Sequence, residues 1–317
     1  MFFSRKATDG NRLVRDWIVP VDQPVIWVFQ PPRSGGTLFL RLFDGHPQVH
    51  VHPAPMNNIR WPTRPNLEKI STAFSLAKHN EVGFFKTASK RRQPVMPIYF
   101  DVGWYNAILA DQAIDTPRQA FSAGATARFN AWGNYQNLYG EKRYQLMHST
   151  IWKRTPVTKM IDNFFSAYPD GYLLFIARKP EDWLVSALKQ GGLYLETDDP
   201  LEEYVPAYER IQHAIDVRGN KIIVLDFDML VRKPKETLAK LCNMIGLEYR
   251  SSLGTTTANG IPVPANSSHD SDLLFAPDPS LVGKGAEIID TARALPKFVH
   301  ATALFDHFSS MAANNRT

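Results

Sequence analysis

The stretch 25–45, VIWVFQPPRSGGTLFLRLFDG, constrains this chain more than any other. Val25, Ile26, Trp27, Val28 and Phe29 form a short apolar run bounded by Pro24 before and Pro31-Pro32 after. Its length and β-branched content predict a buried strand of a parallel sheet. After the turn Pro31-Pro32-Arg33-Ser34-Gly35-Gly36-Thr37, the residues Leu38, Leu40, Leu42 and Phe43 predict a helix covered by sheet on one side. The order is therefore strand, glycine-rich turn, helix.

That order has a use. The first N–H groups of a helix have no internal partner and carry the positive end of its dipole. A phosphate or sulfate group placed there accepts those hydrogen bonds. Gly35 and Gly36 let the backbone close around an anion, Ser34 and Thr37 add hydroxyls, and Arg33 adds a charged fork. The Walker A pattern asks for Gly-x-x-x-x-Gly-Lys-Ser/Thr. With Thr37 as its last residue, Gln30 occupies the first glycine position and Gly36 stands where the lysine would be. The loop is shaped for phosphate and lacks the lysine that reaches the terminal phosphates of a nucleoside triphosphate. Taken by itself, the same stretch also reads as an ordinary strand-to-helix turn.

A second strand-turn-helix follows at Gly171-Tyr-Leu-Leu-Phe-Ile-Ala-Arg178-Lys-Pro180-Glu-Asp-Trp-Leu-Val-Ser186. Tyr172–Ala177 reads as another buried strand. Pro180 suits the first turn of a helix, and Glu181 and Asp182 complement its dipole. Arg178 falls at the strand end, with Ser186 about two turns into the helix.

The loop Pro32–Leu38, with Arg41-Leu-Phe-Asp-Gly-His46-Pro47 after it, resembles the first motif of sulfotransferases, which use 3′-phosphoadenosine-5′-phosphosulfate (PAPS) as sulfuryl donor. The resemblance implies that Arg33, Ser34, Gly35, Gly36, Thr37 and Leu38 grip the 5′-phosphosulfate. It implies that Arg178 and Ser186 bind the 3′-phosphate. Val282-Gly-Lys-Gly285 is similar to the family's late closing segment, which would bring Lys284 near the same phosphate. It also implies an α/β fold with a central parallel sheet flanked by helices, in the P-loop manner, and 3′,5′-adenosine bisphosphate (PAP) as the product. Two rivals remain. A P-loop kinase would need Mg²⁺ and the missing lysine, and a non-catalytic protein of the same fold would bind sulfate or phosphate without turnover.

The remaining chain adds bounds. At 317 residues, 44% hydrophobic and 21% charged, it suits one globular domain spanning 1–317. A net charge of +5 fits an anionic ligand and argues for no nucleic acid. Cys242 is the one cysteine, so no internal disulfide can form, and no Cys/His metal spacing occurs. Met1–Asp9 lacks a signal-peptide core, and no apolar run is long enough to span a bilayer. These features predict a cytoplasmic protein with no membrane anchor. Oligomeric state is not legible.

Elsewhere the patterns predict a short lead-in helix near 11–17 and a strand at Gly83–Lys86. They predict helices at Val157–Ala167, at Asp199–Arg218 with a kink at Pro206, and at Pro234–Ile245 stopped by Gly246. Lys221–Phe227 reads as a third buried strand, and Ile288–Met311 as a helical stretch broken at Pro296. Residues 57–150, rich in aromatics, read as a helical insert that builds the pocket for a small-molecule or carbohydrate acceptor.

The base that takes the acceptor's proton is the open question. His46, His50 and His52 tempt a metal assignment, but only His50 and His52 can point the same way and no carboxylate lies between Asp44 and Glu68 to complete a cage. His52 has a suitable pKa and follows the first helix on an extended segment, so it is the candidate base, ahead of His50 and then His148.

Overall fold

Strand β1 (Val25–Gln30) lies at the centre of the main sheet. The computed structural model describes residues 17–52, 56, 59, 61–64, 100–133, 135–152, 155–189, 199, 201–262 and 284–314, with 189, 220 and 284–288 described by backbone alone. The sheet has five strands in the order β2-β3-β1-β4-β5, where β2 is Val49–Val51, β3 Tyr144–Thr150, β4 Tyr172–Ala177 and β5 Ile222–Asp226. Every pairing in it is parallel. Parallel strands need crossovers, and here helices supply them on both faces.

Alternation along β1 divides the core in two. Ile26 and Val28 pack with α1 (Gly36–Phe43). Trp27 and Phe29 point the other way, into a cluster with α2 (Val102–Ala110), α3 (Pro117–Ala131), α4 (Val157–Ala167), α5 (Pro180–Lys189) and α6 (Tyr204–Arg218). The short α7 (Phe227–Arg232) and α8 (Pro234–Met244) join the α1 layer. A break at Ala294-Leu295 separates α9 (Lys284–Arg293) from α10 (Pro296–Asn314), which returns to the Trp27 face. A two-stranded antiparallel ribbon, β6 (Thr257–Ala258) with β7 (Ile261–Pro262), stands apart from the sheet.

The three apolar strands and the helix at 157–167 lie where the sequence puts them. Pro206 does not kink α6: it falls in the first turn, where its missing N–H has no partner to lose. The helix opens at Tyr204, and the residues before it form a turn. The strand at 144–150 was not foreseen. It lay inside the stretch assigned to the helical insert, because Gln145, His148, Ser149 and Thr150 interrupt any apolar run. They are buried nonetheless, and some meet partners there. Gln145 donates to the Gln23 carbonyl at 2.9 Å, and Ser149 Oγ accepts from Trp27 Nε1 at 2.7 Å. The expected lead-in helix, apart from Trp17, and the expected strand at 83–86 lie outside the described residues.

Candidate active site

At the end of β1 the chain enters the loop with unusual backbone angles. Arg33 has φ 69°, rare for a residue with a side chain, and Gly35 has φ 93° as N-cap of α1. Three side chains from the second motif or next to it hold that shape. Trp183 Nε1 donates to the Pro32 carbonyl at 2.6 Å. Arg178 Nη1 donates to the Arg33 carbonyl at 2.5 Å. The ring of Phe227 lies so close that a Cβ on Gly35 would be 2.5 Å from it. Only glycine fits at 35, on both conformational and steric grounds.

Arg178 is itself fixed. Its N–H donates to Tyr208 Oη at 2.7 Å, and its carbonyl accepts from Tyr204 Oη at 2.6 Å. The two tyrosine rings stack with centroids 4.1 Å apart. Its guanidinium lies over Phe227, 4.4 Å from the ring centroid. Burial lowers its pKa to about 10; the nearby Arg33 charge adds to that, and Asp182 and Asp228 oppose it. Arg33 in turn donates from Nε to Ser186 Oγ at 3.2 Å. The two arginines and the serine named from sequence thus meet at one loop, although the motifs lie far apart along the chain.

The loop has the features of an anion cradle. The first internal bond of α1 runs from the Phe39 N–H to the Gly35 carbonyl at 2.9 Å, so the N–H groups of Gly36, Thr37 and Leu38 precede it. Ser34 Oγ and Gln30 Oε1 are buried and find no hydrogen-bond partner among the described residues. Buried polar atoms of this kind cost about 1–3 kcal/mol each when left unmet. The residues therefore fit a phosphosulfate group: a positive helix end, two clustered guanidinium groups and a buried hydroxyl. Lys284 opens α9, but its side chain lies outside the described part, so its expected role finds no geometry here.

The histidines separate by sheet face. His50 and His52 point to the Trp27 side, away from α1. His52 is fully buried, its ring 4.8 Å from that of Phe129 and its Nε2 3.4 Å from Gln145 Oε1. Burial, then the charge of Arg128, holds its pKa well below the ordinary histidine value. A general base must reach its proton before its pKa matters, and this ring is enclosed on the face opposite the loop helix. His52, the base expected from sequence, is thus enclosed among the described residues, with no open path from its ring to the loop. His50 packs 5.0 Å from Phe129 in the same layer, its pKa lowered by burial to about 3. His148, ranked last in the sequence reading, is the one beside the loop: a Cβ on Gly36 would lie 2.3 Å from its Nε2. Burial lowers its pKa to about 4. No sequence signal announced this position, because it depends on β3 lying next to β1.

Among the described residues no three metal-binding side chains group together, and no helix is long and apolar enough to cross a membrane. The order of parallel strands and the loop at the end of the central strand define an α/β protein of the P-loop kind.

The chain belongs to the sulfotransferase family, whose model matches residues 24–251. Among solved structures it is similar to the sulfotransferase domain of the Synechococcus PCC 7002 olefin synthase, at 16% identity and TM-score 0.51, covering 90% of this chain and 94% of that one. A sulfotransferase from Alicyclobacillus acidocaldarius aligns at 15% identity and TM-score 0.44, over 90% of this chain and 95% of that one. The mouse sulfotransferase SULT7A1, solved as a complex with PAP, aligns at 9% identity and TM-score 0.40, over 99% and 94%. No curated protein matches the chain.

Proposed function

We propose that this protein transfers a sulfuryl group from PAPS to an acceptor hydroxyl or amine. The observation that carries the proposal is the meeting of Arg33, Arg178 and Ser186 around a loop whose buried Ser34 hydroxyl has no hydrogen-bond partner among the described residues. When bound, the donor supplies the sulfuryl group, and the bisphosphate is left behind. Arg33 and the first N–H groups of α1 hold the negative charge that gathers on the bridging oxygen. Ser34, Thr37 and the backbone from Gly35 to Leu38 grip the 5′ end, while Arg178 and Ser186 face the 3′-phosphate. The cationic side chains and the helix dipole meet the need that a metal meets in nucleotide kinases.

The insert expected at 57–150, less the strand β3 at its end, forms the acceptor-binding part of this reading, for a small molecule or carbohydrate. A cytoplasmic location belongs to it as well, on the strength of the single cysteine. Kinase chemistry is disfavoured by Gly36 at the lysine position.

Isothermal titration with the 3′,5′-bisphosphate, set beside ATP with Mg²⁺, tests the donor. Binding of the first and neglect of the second is expected, and the reverse would overturn the proposal. Turnover of PAPS against a mixed panel of hydroxyl and amine acceptors then tests catalysis: release of the bisphosphate only when acceptor is present is expected. Donor binding with no turnover on any acceptor class would leave a binding protein.

A further inference from the structure

Gly36 and His148 compete for one space. A Cβ built on Gly36 would lie 2.3 Å from His148 Nε2, 2.4 Å from Cδ2 and 2.7 Å from Cε1. No real side chain can begin there while the imidazole stays. Gly36 is also the position at which a nucleotide-binding P-loop carries its lysine. The lysine stem and the imidazole would therefore fill the same volume, the first arriving from the helix and the second from the neighbouring strand β3.

The strand register brings His148 there. It lies opposite Val28, two residues before the end of β3, on the face that carries α1. Its side chain is nearly enclosed, with 5% of the residue exposed, and both ring nitrogens are buried without a hydrogen-bond partner among the described residues. A purely packing position would favour leucine or methionine, which carry no unmet polar atoms. An imidazole always has at least one N–H to donate. Ser34 Oγ, on the loop itself, is also buried without a hydrogen-bond partner among the described residues.

We infer that His148 replaces the absent P-loop lysine from the adjacent strand, donating a ring N–H to the 5′-phosphosulfate end of the donor and so positioning it. The inference rests on the proposed donor site. It makes His148 a group specific for the 5′ anion, with no part in holding the 3′-phosphate, which falls to Arg178 and Ser186.

The test is isothermal titration of the full chain with two probes, adenosine 3′,5′-bisphosphate and adenosine 3′-monophosphate. His148→Ala should weaken the bisphosphate by about ten- to a hundredfold, the scale of one hydrogen bond to a charged group. The 3′-monophosphate should be affected by less than about twofold, since it lacks the group His148 contacts. His148→Gln, which keeps an N–H donor, should recover most of the loss. Gly36→Lys should abolish bisphosphate binding alone and restore it when combined with His148→Gly. A merely structural histidine would lower both probes together, and that result, or no loss for either, overturns the inference. If His148→Ala does not fold, the Gln variant and the double variant decide alone. Failure of the parent protein to bind the bisphosphate would sink the donor site and this inference together. Binding by the parent, with a loss not confined to the 5′ group, sinks only the inference.

Discussion

Arg178 reaches across 145 residues of chain to donate its Nη1 hydrogen to the carbonyl oxygen of Arg33, 2.5 Å away. The bond holds Arg33 in a left-handed conformation that L-residues avoid, and it sets the guanidinium of the second motif beside that of the first. Arg178→Ala should therefore do two things. It should remove a ligand for the 3′-phosphate and release the loop that grips the 5′ end. Ser186→Ala should do mainly the first: it frees Arg33 Nε but leaves the bond to the Arg33 carbonyl in place. Affinities for the 3′,5′-bisphosphate and for 5′-adenylate, compared by titration, should lose most of their ratio in Ser186→Ala. In Arg178→Ala both affinities should fall. An unchanged ratio in both variants would remove the second motif from the site.

Arg33→Ala should damage turnover more than binding, because charge on the bridging oxygen is largest in the transition state. The expected loss in kcat is about a hundredfold or more, the scale of one preorganised stabiliser. Equal losses in bisphosphate affinity and in kcat would instead assign Arg33 to ground-state binding.

Gly35→Ala meets two penalties at once. The φ of 93° disfavours any side chain, and the new methyl would lie 2.5 Å from the Phe227 ring. Together they should lower unfolding stability by about 2–5 kcal/mol, read from the urea midpoint at constant m. Adding Phe227→Ala should recover the steric part and leave the conformational part.

Acid should weaken the fold through its buried histidines. His50 and His148 titrate at about 3 and about 4 in the folded chain, against a usual value of 6.5, because burial disfavours their charge. Their neutral forms contribute stability that is fully present above pH 6.5 and is lost as pH falls toward those folded values. Each should cost about 0.7 kcal/mol per pH unit near pH 6.5, rising to about 1.3 near pH 5, since the unfolded chain takes up a proton that the folded chain refuses. Urea unfolding across that window should show the slope, and His148→Gln should reduce it by about one proton's worth.

The enclosed ring of His52 carries a different expectation from the one its spacing suggested. His52→Ala should cost about 2–4 kcal/mol of stability by emptying space among Phe121, Phe129 and Gln145. Turnover per folded molecule should stay within about threefold of the parent, well short of the hundredfold expected for loss of a general base. A hundredfold fall in kcat at unchanged stability would return the base assignment to it.

Much of this site could be read before any geometry was known. The apolar runs at 25–29 and 172–177 announce their strands, and Pro180 with Glu181 and Asp182 announces α5. Arg33 then falls just past a strand, Arg178 at a strand end and Ser186 about two turns into α5, by simple counting. What could not be read depends on sheet order. Strand β3 hides polar residues on both its faces, so its pattern resembles neither a half-exposed nor a fully buried strand. Without β3 beside β1, nothing in the sequence brings His148 to Gly36. The same gap explains His52. Its extended segment was expected to return along the cleft, but β2 pairs with the outer side of β3, and alternation then turns His50 and His52 to the far face. The anchors of Arg178 were equally silent, because Tyr204 and Tyr208 sit on a helix whose apolar stripe gives no hint that two hydroxyls clasp a strand end.

The position of β1 also bears on how the chain leaves the ribosome. Its two hydrogen-bonded neighbours begin at Tyr144 and Tyr172, so both edges of VIWVFQ stay open until most of the first 177 residues have been made. Distant pairings of this kind close slowly, because the intervening chain must be ordered before any ladder bond forms. An uncharged, proline-free hexapeptide with strong β propensity is also a template for intermolecular pairing. Strand β1 is thus a segment of the nascent chain open to aggregation while its neighbours are still being made, and the protein's yield in a cell should depend on shielding until β4 arrives.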